Sequence, residues 1–131
     1  MTNITRDVTL LIVNVLLIET DDAVVDVVKR MLERRGHQAI VAHTTEQALE
    51  LLPEADVDLA IVSQDDLVGN VNAALFSFVL RAARPKLPII LVDVVDGQRY
   101  AVGAVRIYKP IGLDDLSMAI HCAVDAAATA G

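Results

Sequence analysis

Three unbroken aliphatic runs, Val15 to Ile18, Leu59 to Val62 and Ile89 to Val92, constrain this chain more than any other feature. None alternates between apolar and polar residues. Each ends on a polar side chain: Glu19, Ser63 and Asp93 respectively. A strand with one wet face alternates, whereas a strand buried on both faces reads as a continuous apolar run. Such strands belong to a parallel sheet covered by helices on either side. The core must then be built from Val, Leu, Ile and Ala, because only 3% of the residues are aromatic and Trp is absent.

The segments between the runs supply the helices. Val24, Val25, Val27, Val28, Met31 and Leu32 keep an apolar stripe at helical spacing, with Asp21 or Asp22 as N-cap and Gly36 at the C′ position. Residues 38 to 42 make a second strand, and Thr44 or Thr45 caps a helix carrying Ala48, Leu49, Leu51 and Leu52. After the third strand, Ala73, Ala74, Leu75, Phe78, Val79 and Ala82 form a helical face capped by Asn70 or Asn72 and stopped before Pro85. A fifth strand is expected from about 104 to 108, and Asp114 or Asp115 opens a last helix with Leu116, Ile120 and Ala123 on one face. Strict alternation of strands and helices predicts an α/β fold with a parallel sheet and right-handed crossovers.

The 131 residues are one domain by size. A formal net charge of −7 excludes nucleic-acid and anionic-membrane surfaces, which need clustered cations. The short basic group Arg30, Arg34 and Arg35 lies at a helix C-terminus, where the helix dipole accounts for it. The single cysteine, Cys122, excludes an internal disulfide and fits a reducing cytoplasm; it reads as a small buried hydrophobe on the last helix. The apolar run Val8 to Ile18 is too short to span a bilayer and is followed by no small-residue cleavage site. A soluble cytoplasmic protein with no membrane partner is the expectation. Val8 to Val13 extends the first strand, adds an edge strand or covers a partner.

In a parallel sheet the carboxyl ends of all strands lie along one edge, so residues distant in sequence meet there. Here that edge collects Glu19, Thr20, Asp21, Ser63, Asp93 and Lys109. With "VLLIETDD", "LERRGHQAIVAHTTEQALELL", "DLAIVS", "PIILVD" and "YKPIGLDDL" in this order, residues 15 to 126 resemble the receiver domain of two-component response regulators. The resemblance implies a flavodoxin-like (CheY-like) five-stranded parallel sheet with helices on both faces. It divides the chain into an N-terminal extension (1–14), a receiver-like domain (15–126) and a flexible tail (127–131).

Receiver chemistry, as the resemblance implies it, needs an aspartate ending the third strand to form an acyl phosphate and two acidic residues after the first strand to hold Mg²⁺. It adds a hydroxyl after the fourth strand and a Lys-Pro after the fifth. Glu19 and Lys109-Pro110 match this pattern; Thr20, Ser63 and Asp93 do not. Arg106 also replaces the aromatic of the family's switch position. A serine hydroxyl cannot form an acyl phosphate. Asp65 and Asp66, two and three residues past the strand, would miss Lys109 by several ångströms at about 3.3 Å per residue.

The expected function is therefore a non-phosphorylated pseudo-receiver, not an enzyme, without cofactor or bound metal, that regulates signal transduction by binding a protein partner. A histidine kinase or a second copy of the chain would serve as that partner. Glu19, Asp93 and Lys109 then form an ion-pair cluster. One rival reading is an atypical receiver still taking a phosphoryl group from a histidine kinase, with Mg²⁺ on Glu19, Asp65 and Asp93. Another is a small-ligand sensor using the strand-end pocket.

The resemblance also implies a cis Lys109-Pro110 peptide, which proline makes accessible. Only residues 94 to 104 separate the fourth and fifth strands, with Gly97 and Gly103 among them. The family's fourth helix is thus expected to be degenerate or missing. The uncovered face would favour self-association or a partner near Val94, Val95, Tyr100, Val102 and Arg106.

Overall fold

The computed structural model describes residues 12–53, 55–63, 79–93, 105–108 and 111–129, with backbone only at Asp93, Val105, Arg106, Tyr108 and 127–129. Five strands form one parallel sheet: β1 (Asn14–Ile18), β2 (Gln38–Ala42), β3 (Leu59–Ser63), β4 (Ile89–Asp93) and β5 (Val105–Tyr108). Their order across the sheet is β2-β1-β3-β4-β5. The helices are α1 (Asp22–Arg34), α2 (Thr45–Leu51), α3, described over residues 79–83, and α4 (Leu113–Thr129).

The unbroken apolar runs have the predicted cause. Alternate residues of each central strand enter separate cores on the two faces of the sheet. Leu17, Ile61 and Ile90 join Val25, Val28 and Leu32 of α1 and Leu116, Ala119 and Ile120 of α4. Leu16, Ala60 and Leu91 join Ala48 of α2 and Leu80 of α3. Burying a Leu or Ile side chain contributes about 1.5–3 kcal/mol, so these two layers dominate the favourable side of folding.

Local signals fix the helix ends. Asp21 caps α1, its Oδ1 accepting the Ala23 N–H at 2.9 Å, and Thr44 caps α2, its Oγ1 accepting from Gln47 N–H at 3.0 Å. Gly36 sits at C′ with φ +86°. Its N–H donates to Glu33 O and the His37 N–H to Leu32 O, each at 3.0 Å, which is the hydrogen-bond pattern of a Schellman motif. Arg35, the C-cap of α1, reaches Asp114 of α4 at 3.1 Å.

Several positions differ from the sequence reading. The buried stripe of α1 is Val25, Val28 and Leu32, while Val27 is 50% exposed, because it projects about 100° from its neighbours at 3.6 residues per turn. Leu49 is exposed while Ala48 and Leu52 are buried. In α3 the buried residue is Leu80, at 0%; Val79 is 40% exposed and Ala82 is exposed too. Cys122 is exposed, since the buried set Leu116, Ala119, Ile120 and Ala123 leaves it off the apolar face.

α4 begins at Leu113, with Leu116 N–H donating to Gly112 O at 3.0 Å. Asp114 and Asp115 are therefore first-turn acids at the positive end of the helix dipole, not its cap. The helix continues to Thr129.

Val13 already belongs to the core, and its carbonyl accepts the Gln38 N–H at 3.2 Å. This end of the Val8 to Val13 run therefore extends β1. The residues expected to leave the fourth family helix degenerate, 94–104, lie outside those described, as do Asn70, Asn72 and the apolar residues from Ala73 to Phe78.

The corrected register of α3 is testable by denaturant unfolding. Leu80→Ala is expected to cost about 2–5 kcal/mol. Val79→Ala, at its exposed neighbour, should stay within about 0.5 kcal/mol of the parent. Equal losses at the two positions would contradict this packing.

Candidate functional site

The order β2-β1-β3-β4-β5 reverses direction between β1 and β3. At such a switch point the crossovers leave in opposite directions and open a crevice at the strand ends, the usual ligand position in open α/β sheets. Ile18 pairs with Val62, so Glu19 and Ser63 leave the sheet side by side. Neighbouring strands stand about 4.8 Å apart. Glu19 and Ser63 also stand two residues past Leu17 and Ile61 of the core. Ser63 pairs with Val92, which puts Asp93 one residue further along, at the level of Tyr108.

Both polar residues at the switch point are buried: Glu19 is 2% exposed and Ser63 1%. A buried polar atom left without a partner would cost free energy, and both residues have interaction partners. The Glu19 N–H donates to Ala42 O at 3.1 Å, continuing the ladder to β2. Its Oε2 accepts the Asp21 N–H at 3.2 Å. Asp21 in turn uses its own carboxylate to cap α1, so the loop from Glu19 to Ala23 is held by two successive side-chain-to-backbone bonds. Thr20 lies exposed between them.

Of the predicted site residues, the structure brings Glu19, Thr20, Asp21 and Ser63 together and places the backbones of Asp93 and Arg106 on β4 and β5, with Arg106 opposite Leu91. Asp65, Asp66, Lys109 and Pro110 lie outside the described residues, and with them the expected ion pairs of Lys109 and the peptide joining it to Pro110. Among the described residues no group of three His, Cys, Asp or Glu side chains is placed to hold a metal ion.

One residue of this edge escaped the sequence reading. His43 follows β2, and its Nε2 lies 3.3 Å from Asp22 Oδ1, while its N–H donates to Gln47 Oε1 at 2.8 Å. The signal was available: the residue after every parallel strand reaches the same edge, and β2 is no exception. Both partners of the pair are well exposed, so it orients the loop more than it stabilises it.

No protein-family model matches the sequence, and no curated protein matches it. Solved structures do. A response regulator receiver domain protein from Clostridium thermocellum superposes with a TM-score of 0.78 at 19% identity, over 91% of this chain and 99% of that one. The chain has the receiver fold. A CheY-like receiver domain protein from Methanospirillum hungatei JF-1 gives 0.78 at 22% identity over 92% of this chain and all of that one. The receiver domain of a modulated diguanylate cyclase from Desulfovibrio desulfuricans G20 gives 0.80 at 22% identity, covering 92% and 99%. The receiver fold explains why the β1–β3 crevice collects the polar residues, and identities this low speak for the fold alone. Among the described residues no helix is long and apolar enough to cross a membrane.

The two carboxylates at the start of α1 have separable roles. Asp21→Ala removes the N-cap and should cost about 0.5–2 kcal/mol. Asp22→Asn removes only an exposed pair and should cost about 0–1 kcal/mol. Chemical denaturation of both variants checks this order, and a larger loss at Asp22 would contradict it.

Proposed function

We propose that this chain is a pseudo-receiver: a receiver-fold module of signal transduction that carries no phosphoryl group and regulates by binding a protein partner. The observation that supports the reading is Ser63. It ends β3 at the switch-point crevice, where the resemblance puts the acceptor aspartate, and it is buried beside Glu19. A carboxylate attacks phosphorus to give an acyl phosphate, but a serine hydroxyl needs an adjacent base to become nucleophilic. Thr20, at the second acidic position, supplies no charge for a divalent cation either. With the nucleophile and the second metal carboxylate both missing from the receiver pattern, signalling falls to the surfaces of the fold, and the module has no enzymatic role.

Incubation of the full chain with acetyl phosphate and Mg²⁺, followed by intact mass measurement, tests this. The mass should not change. A gain of one phosphoryl group, above all at Asp65 or Asp66, would establish the atypical receiver instead. Ser63→Asp alone should remain unphosphorylated, because Thr20 still leaves the cation one ligand short. The same substitution puts a carboxylate into a site that is 1% exposed and next to Glu19, and should destabilise the protein at neutral pH by at least about 1 kcal/mol.

A further inference from the structure

At the opposite edge of the sheet, the start of β1 is held by side chains as well as by backbone. On the β3 side, Asn14 N–H donates to Asp58 Oδ2 at 2.9 Å and Asp58 N–H returns a bond to Asn14 O at 2.8 Å. On the β2 side, Val13 N–H donates to Nδ1 of His37 at 3.1 Å, and Gln38 N–H donates to Val13 O at 3.2 Å. The imidazole stands in for a strand acceptor one residue before β2 begins.

His37 has little freedom to do anything else. Its backbone N–H is fixed to Leu32 O by the Schellman turn after α1, and the residue is 7% exposed. Nδ1 can accept from Val13 only in the neutral ring with its proton on Nε2. A proton on Nδ1 would set two N–H donors against each other.

We propose that His37 is a proton-operated latch on the start of β1: its neutral ring holds Val13 against the β2 edge, and protonation releases it. Release would bring the buried Val13 side chain out of the α1/α4 core and open the N-terminal end of the sheet edge.

The surroundings favour the neutral ring. Burial lowers the pKa of His37 below its ordinary 6.5, and the proximity of His121 on α4 and of the Arg35 guanidinium adds to this. Arg35 shares its charge with Asp114 of α4 at 3.1 Å, and Asp125 follows His121 by one helical turn. From β1, Ile12 and Val13 bring no charge.

The sign follows from linkage. The latched form binds the proton more weakly than the released form, whose pKa is the ordinary one. Latching is therefore fully favoured above about pH 6.5, and weakens about tenfold per pH unit below it until the latched ring itself titrates.

The test is amide exchange of the full chain by NMR between about pH 7.5 and pH 5, with the ring nitrogens of His37 followed in the same samples. Val13 protection, corrected for intrinsic exchange, should fall about tenfold per pH unit below about pH 6.5 and level off where the ring of the latched form itself takes up a proton. The mid-strand amide of Leu16 should keep its protection where Val13 loses it. At neutral pH the ring should show an unprotonated Nδ1. In His37→Gln the amide oxygen can accept from Val13 without titrating, and the Val13 protection should become flat over the same range. A proton on Nδ1 at neutral pH, Val13 protection that stays flat below about pH 6.5, or the same pH slope in His37→Gln would each overturn the proposal. The first two are read on the unaltered chain and decide the matter even where the variant does not fold.

Discussion

Burial of β1, β3 and β4 on both faces is the constraint on which the rest of this structure depends. Because adjacent residues of each strand enter different cores, no position inside them can carry a polar side chain without burying it. The main-chain N–H and C=O groups are satisfied by the neighbouring strands. Polar chemistry is thereby pushed to the two edges where the strands begin and end. At the carboxyl edge stand Glu19 and Ser63; at the amino edge, Asp58 and His37 complete the ladder of β1 where its neighbours have not yet started.

The helices are tied to these edges by short-range bonds. Glu19 accepts from Asp21 N–H, Asp21 accepts from Ala23 N–H, and α1 starts there. At its other end the Schellman turn delivers His37 to the start of β1. One crossover unit thus links both edges, with a buried polar side chain at each end and an apolar stripe of Val25, Val28 and Leu32 between them.

Much of this was legible in the sequence, for a physical reason. A doubly buried strand tolerates only apolar residues, so its pattern is local and unmistakable, and Asp21, Thr44 and Gly36 act within four residues of their own positions. The pattern fails where two apolar residues are adjacent on a helix. Val79 and Leu80, or Val27 and Val28, cannot be ordered by composition; which one is buried depends on the direction from which the sheet approaches. Cys122 misleads in the same way, because its type favours burial while its angular position on α4 does not. The carboxyl edge was legible at β1, β3 and β4, whose runs end at Glu19, Ser63 and Asp93. His43 and His37 were missed because each acts through a partner 21 or 24 residues away, Asp22 and Val13, that only the fold supplies.

The identity of Ser63 follows from charge as much as from chemistry. Glu19 is buried just past the adjoining strand, and an aspartate at 63 would bring a second carboxyl group beside it, at a backbone spacing of about 4.8 Å. At an effective dielectric of about 20, two ionised carboxylates about 5 Å apart repel by about 3 kcal/mol, a large part of a domain's net stability. A divalent cation offsets that repulsion where enough carboxylates gather to bind it. Thr20 removes one of those carboxylates here, so an aspartate at 63 would keep the repulsion and lose much of its compensation. A hydroxyl at 63 meets the burial with a donor and an acceptor and adds no charge. In the pattern that the receiver resemblance implies, Thr20 and Ser63 are therefore coupled departures. Once either is present, the other lowers the electrostatic cost of the crevice.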